Sequence, residues 1–162
     1  MCETAAARTD SIASFASFGL PEMKPPLKQV AALPIVEMAG GPLVLLITTR
    51  GRGNWTIPKG WPKAGLPDPE LAAREAAEEA GVEGDIAPQP VGSFLYTKRL
   101  HLFSWVQCRV DVYTLRVRCQ RLDWPEKAAR KATWVTPEEA ASLVHEAELA
   151  LVLRNFGRQE AA

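Results

Sequence analysis

The chain has 162 residues, 47% of them hydrophobic and 23% charged, with 19 lysines and arginines against 19 aspartates and glutamates. That is one domain's worth of sequence, with enough apolar content for a full core. A neutral total argues against broad, sequence-independent nucleic-acid binding, which needs surplus cations facing the phosphates; it leaves room for a local basic rim around a small polyanion.

From Met1 to about Lys28 the sequence is a mixed tail rich in Ser, Ala and Thr. Its apolar residues Ile12, Phe15, Phe18 and Leu20 are interrupted by small and polar ones, and Arg8 is followed by Asp10, so the charge and apolar block of a secretory signal do not form. Residues 1–27 read as a flexible extension and 28–158 as the domain. Phe15 and Phe18 are candidates to dock on the domain or on a second subunit, which would make a homodimer. No stretch is long and apolar enough to span a bilayer. Cys2, Cys108 and Cys119 make an odd count without metal-type spacing. They point to a reducing compartment, the cytoplasm.

Gln29 to Glu37 and Pro42 to Thr49 read as strands joined by the turn Ala39-Gly40-Gly41, a hairpin. A short strand, Trp55 to Ile57, then enters a loop punctuated by Gly and Pro that runs through Lys59, Gly60, Trp61, Pro62, Lys63 and Gly65. Next comes a helix containing Arg74-Glu75-Ala76-Ala77-Glu78-Glu79-Ala80-Gly81. Asp68 is placed to be its N-cap, Pro69 suits the first turn, and Gly81 stands where a left-handed residue ends a helix.

Glu75, Glu78 and Glu79 are spaced i, i+3, i+4, which puts them on one side of the helix. Arg74 can relieve Glu78, but Glu75 and Glu79 form a like-charge pair that a divalent cation would stabilise. Clustered carboxylate oxygens suit a hard ion such as Mg2+ or Mn2+. Ala73, Ala76, Ala77 and Ala80 are expected to form a small ridge on the opposite face, lying against a sheet. Beside a loop with two lysines, this acidic helix describes a metal-bridged phosphate site.

Pro90 to Lys98 and Leu102 to Arg118 supply further strands, with Lys98, Arg99 and His101 in the turn after Tyr96. Ala132 to Val135 is a short strand, Thr136 caps a helix through about His145, and a last helix runs from about Glu146 to Phe156. Strands mixed with a few helices give α/β or α+β with a mixed sheet.

Gly60 through Val82 resembles the Nudix box: a glycine, a loop, then Arg74, Glu75, Ala76, Glu78, Glu79, Gly81 and Val82 at the family's spacing. Trp55 to Gly60 and Ala132 to Val135 resemble the diphosphoinositol polyphosphate and dinucleoside polyphosphate hydrolase branch. The resemblance implies an α/β/α sandwich around a central mixed sheet. It also implies hydrolysis of a diphosphate linkage with Mg2+ or Mn2+ held by Glu75, Glu78 and Glu79. A backbone carbonyl before the box glycine completes the family's ligand set, which brings Lys59 and Gly60 into it. One position departs: Leu66 stands where the family has a glutamate that braces the loop against the box arginine. Asp68 or the prolines are the candidate replacement brace.

Glu78, Glu79 and, outside the box, Glu126 are candidate general bases; Glu126 precedes the Trp134 strand as such acids often do in the family. Arg50, Arg52, Lys59 and Lys63 are candidate phosphate contacts. Trp61 and Tyr96 are candidates to stack a base, whereas Trp55 reads as a core residue. His101 and His145 offer no triad or zinc pairing. The expected substrate is a small-molecule polyphosphate. RNA 5′ ends and nucleotide sugars are the alternatives within the class. A Nudix-fold binding module that has lost catalysis, suggested by Leu66, is the alternative outside it.

Overall fold

The computed structural model describes residues 24–160. The tail expected over 1–27, with Phe15 and Phe18, therefore lies almost wholly outside the described residues. Eight strands form one mixed sheet. The long central strand β1 (Leu27–Met38) turns at Ala39-Gly40 into β2 (Gly41–Thr48), the expected antiparallel hairpin, with Met38 opposite Gly41. On its other side β1 runs parallel to β7 (Ser104–Gln120) from Leu27 opposite Cys108 to Ile35 opposite Arg116.

That central position explains the composition of β1. Residues Val30, Ala31, Ala32, Leu33 and Ile35 are all buried because helices cover both faces. Strand alternation sends Ala31, Leu33 and Ile35 into one core with Val44, Leu46, Val110 and Val112. It sends Val30 and Ala32 into the other, with Leu45, Ile47 and Leu115. The first core is closed by α2 (Pro137–Leu143) and α3 (Ala147–Glu160), through Ala140, Leu149, Leu153 and Phe156. The second is closed by α1 (Asp68–Ala80) through Leu71, Ala72, Ala76 and Ala80. The architecture is the expected α/β/α sandwich.

Shorter strands complete the sheet. β3 (Trp55–Thr56) and β8 (Ala132–Val135) pair with β2, β4 (Lys59–Gly60) with β1, and β5 (Val82–Ile86) and β6 (Gly92–His101) with β7. β4 and β5 were not expected: one is two residues long and the other follows the helix without an apolar run. Lys98, Arg99 and His101 lie on β6 rather than in a turn, the reversal falling at Leu102-Phe103.

Two expectations for α1 are corrected. Pro67, not Asp68, occupies the N-cap position and no side chain caps it; Asp68 is the first helical residue and pairs with Lys28. It is therefore unavailable as a brace for the loop. The packed alanines are Ala72, Ala76 and Ala80, while Ala73 and Ala77 are only partly buried. The inward stripe is rotated by one position, which carries Glu75 and Glu79 inward at its edge, 9% and 8% exposed. Thr136 caps α2 as expected, in a reciprocal capping box with Glu139.

Candidate active site

The acidic edge of α1, the loop before it and the β6–β7 hairpin surround a cleft of about 1140 Å3. Pairing of β4 with β1, Val30 opposite Gly60 and Ala31 opposite Lys59, pins the loop to the centre of the sheet. There the Lys59 amide donates to Glu79 Oε2 at 3.0 Å. Gly60 has to be glycine, since a Cβ there would lie 2.2 Å from the Glu75 carboxyl. That carboxyl is held 3.7 Å from Lys63 Nζ. Leu66, at the departing box position, packs against the α1-side core rather than bracing the loop.

The C-terminus of α1 recruits the segment that follows β7. Gly81 takes the left-handed conformation, φ 69°, and its amide returns to Ala76 and Ala77. The Trp124 ring lies over it, so close that a Cβ would come within 2.5 Å of the indole. Amides of Arg121 and Glu126 then donate to the carbonyls of Gly81 (2.7 Å) and Glu78 (3.2 Å), and Gln120 Nε2 donates to Ala80 (3.2 Å). Helix-end carbonyls need such partners. The result is that Glu126, distant in sequence, reaches the cleft beside Glu79.

Arg130 joins the two acids. Its Nε donates to Glu126 Oε2 at 2.6 Å, a second nitrogen pairs with Glu79 Oε1, and a third donates to the Thr48 carbonyl at 2.9 Å. The Arg130 side chain is 7% exposed. Sequence reasoning missed it; the available signal was its i, i+4 spacing from Glu126.

Burial pushes the Glu79 carboxyl up to about 7, despite opposition from Arg130 and Lys59. Burial also raises Glu75, with Lys63 opposing it. The Lys59 ammonium is lowered by burial, with Glu79 and Glu146 working the other way.

The cleft thus brings together Glu75, Glu79, Glu126, Gly60, Arg50, Arg52, Lys59, Lys63 and Tyr96. Arg74 and Glu78 do not line it. They form an outward pair, Nε to Oε1 at 2.7 Å, so the three box carboxylates do not converge as the helical spacing alone implied. Trp55 packs against the core, as expected. Trp61 lines the cleft with Lys98 4.6 Å above its ring, and the Tyr96 hydroxyl donates to Gln29 at 2.6 Å.

A family model described as the NUDIX domain matches residues 26–156. The chain belongs to the Nudix family. "Nudix hydrolase 12, mitochondrial" of Arabidopsis thaliana is 31% identical over 121 residues, covering 71% of this chain and 58% of that protein. "Nudix hydrolase 16, mitochondrial" of the same plant is 34% identical over 100 residues, covering 60% and 55%. The Nudix chain thus spans just over half the length of these curated relatives. Among solved structures, a C. elegans Ap4A hydrolase in a binary complex superposes with a TM-score of 0.63 at 21% identity, covering 83% of this chain and 98% of that one. At that identity the likeness concerns the Nudix fold alone.

The donor chemistry of this Nudix site fits a hard divalent ion. Glu75 and Glu79 are desolvated carboxylates on one cleft wall, and buried anions need compensating charge. Among the described residues no three acid, histidine or cysteine side chains form a ready-made cage. Each box glutamate is turned instead to its own base: Glu75 to Lys63, Glu78 to Arg74, Glu79 to Arg130. No helix of the described residues is long and apolar enough to cross a membrane.

Proposed function

We propose that the chain is a metal-dependent hydrolase that cleaves a diphosphate linkage in a nucleoside- or inositol-type polyphosphate. Dinucleoside polyphosphates and diphosphoinositol polyphosphates are the preferred substrates. One observation carries the reading: two buried carboxylates, Glu75 and Glu79, share a cleft with the cations Arg50, Arg52, Lys59 and Lys63. An acidic wall opposite a basic rim is the arrangement that a phosphate–metal complex requires.

Glu75 and Glu79, joined by Glu78 when its side chain leaves Arg74, would hold Mg2+ or Mn2+, with the Lys59 carbonyl as a further ligand. The bound ion would neutralise phosphate charge and lower the pKa of water. The chain's own groups supply the rest. Arg50, Arg52 and Lys63 bind and orient the phosphates. Glu126 accepts the proton from the attacking water as its oxygen bonds to phosphorus, with Glu79 as the second candidate base. The P–O bond to the leaving phosphate breaks, and that product carries away the bridging oxygen. Two free thiols, Cys108 and Cys119, support a reducing compartment such as the cytoplasm.

The test is phosphate release from a panel of diadenosine polyphosphates, a diphosphoinositol polyphosphate, a nucleotide sugar and triphosphorylated RNA, each with Mg2+ and with EDTA. The reading expects Mg2+-dependent turnover of a small polyphosphate that EDTA abolishes. Failure to turn over any compound would favour a binding module instead.

A further inference from the structure

At the start of α3, Glu146 lines the same cleft, and its Oε2 is buried without a hydrogen-bond partner. A carboxylate oxygen removed from water without a donor is costly. The other acids lining the cleft are paired: Glu75 with Lys63, Glu79 with Arg130, Glu126 with Arg130 and Arg50. Among the described residues, Glu146 is the one cleft acid without an ion pair. Its charge acts on both Lys59 and Tyr96, yet neither satisfies it. The Tyr96 hydroxyl is spent on Gln29, and the Lys59 ammonium donates to Thr56 Oγ1 at 3.2 Å.

We propose that Glu146 is a specificity residue that accepts an N–H of a nucleobase, so that the substrate class is a nucleoside polyphosphate. This rests on the diphosphate-hydrolysis reading for the rest of the cleft. A ligand that suits both ends must bring phosphates to the basic rim and hydrogen-bond donors to Glu146. A nucleobase amino group supplies such donors, and its flat face suits the Trp61 and Tyr96 rings in the same cleft. A fully phosphorylated inositol offers acceptor oxygens and negative charge all round its ring. Facing Glu146 it would leave the buried oxygen unpaired and add repulsion.

Calorimetry on the full chain with Mg2+ tests this without catalysis, using β,γ-methylene ATP, tripolyphosphate and inositol hexakisphosphate as probes. The wild-type chain is expected to bind the nucleotide analogue more tightly than either other probe. Glu146→Gln, checked by its melting temperature, is expected to weaken nucleotide binding about tenfold, the loss of one charge-assisted hydrogen bond. Tripolyphosphate affinity is expected to move by less than about twofold, as for a contact made elsewhere on the ligand. Equal effects on both ligands, or no effect on the nucleotide, would overturn the assignment. So would tighter wild-type binding of inositol hexakisphosphate, a result that needs no variant. Hydrolysis of an inositol substrate alongside that result would leave the hydrolase reading standing. Glu146-dependent nucleotide binding without hydrolysis would sink the hydrolase reading and uphold this one.

Discussion

Arg130 neutralises Glu79 and Glu126 from a position almost closed to water, so its removal leaves two acids beside the core without their counterion. Breaking a buried pair from one side is expensive, and we expect Arg130→Met to cost about 3 kcal/mol at pH 8 by denaturant unfolding. Glu79→Gln in the same chain should recover part of that loss, because the two sites share one interaction. Glu79→Gln alone should lower Mg2+-dependent turnover by orders of magnitude with the circular dichroism unchanged; near-native rates would remove Glu79 from the metal site. The Glu79 carboxyl also sets a pH dependence. Its folded pKa of about 7 stands above the ordinary 4.5, so its contribution to stability is fully present below 4.5 and fades as pH rises to about 7. A divalent ion binds the deprotonated form. The rise in melting temperature on adding Mg2+ should therefore be larger at pH 8 than at pH 6, and the reverse order would contradict the assignment.

At the scale of elements, α1 owes its function to what is attached at each end. β4 fixes the loop before it to β1, and Gly81 lets the chain turn so that Trp124 and Glu126 can settle on the final carbonyls. An alanine at Gly81 must hold a left-handed backbone, at about 1–2 kcal/mol, and displace the Trp124 ring as well. We expect Gly81→Ala to lower stability by at least that amount in urea titrations. It should also reduce turnover by shifting Glu126. What could be read in advance follows the range of the interactions. Gly81 ending α1, the Thr136 cap and the hairpin at Gly40-Gly41 depend on neighbours in sequence, and each is where the spacing put it. Arg130 at Glu79, Gln29 at Tyr96 and the buried oxygen of Glu146 depend on strand register and helix packing across dozens of residues. No local pattern announces those contacts. The rotation of α1 that buries Glu75 and turns Glu78 outward is of the same kind, set by the fit of Ala72 and Ala76 to the sheet.

In the whole molecule, the parallel pairing of β1 with β7 places the loop from β2, the box loop and the β6–β7 hairpin around one opening. Cations from three separate stretches thereby converge on two carboxylates, in a chain whose total charge is zero. The central claim is that this convergence exists to hold a divalent ion against a diphosphate. Anomalous diffraction at the manganese edge, from crystals soaked in Mn2+ and a non-hydrolysable polyphosphate, tests it most directly. The account predicts a manganese peak bonded to the carboxylates of Glu75 and Glu79, with ligand phosphate oxygens completing the shell. A cleft containing the polyphosphate but no manganese at those two residues would contradict it.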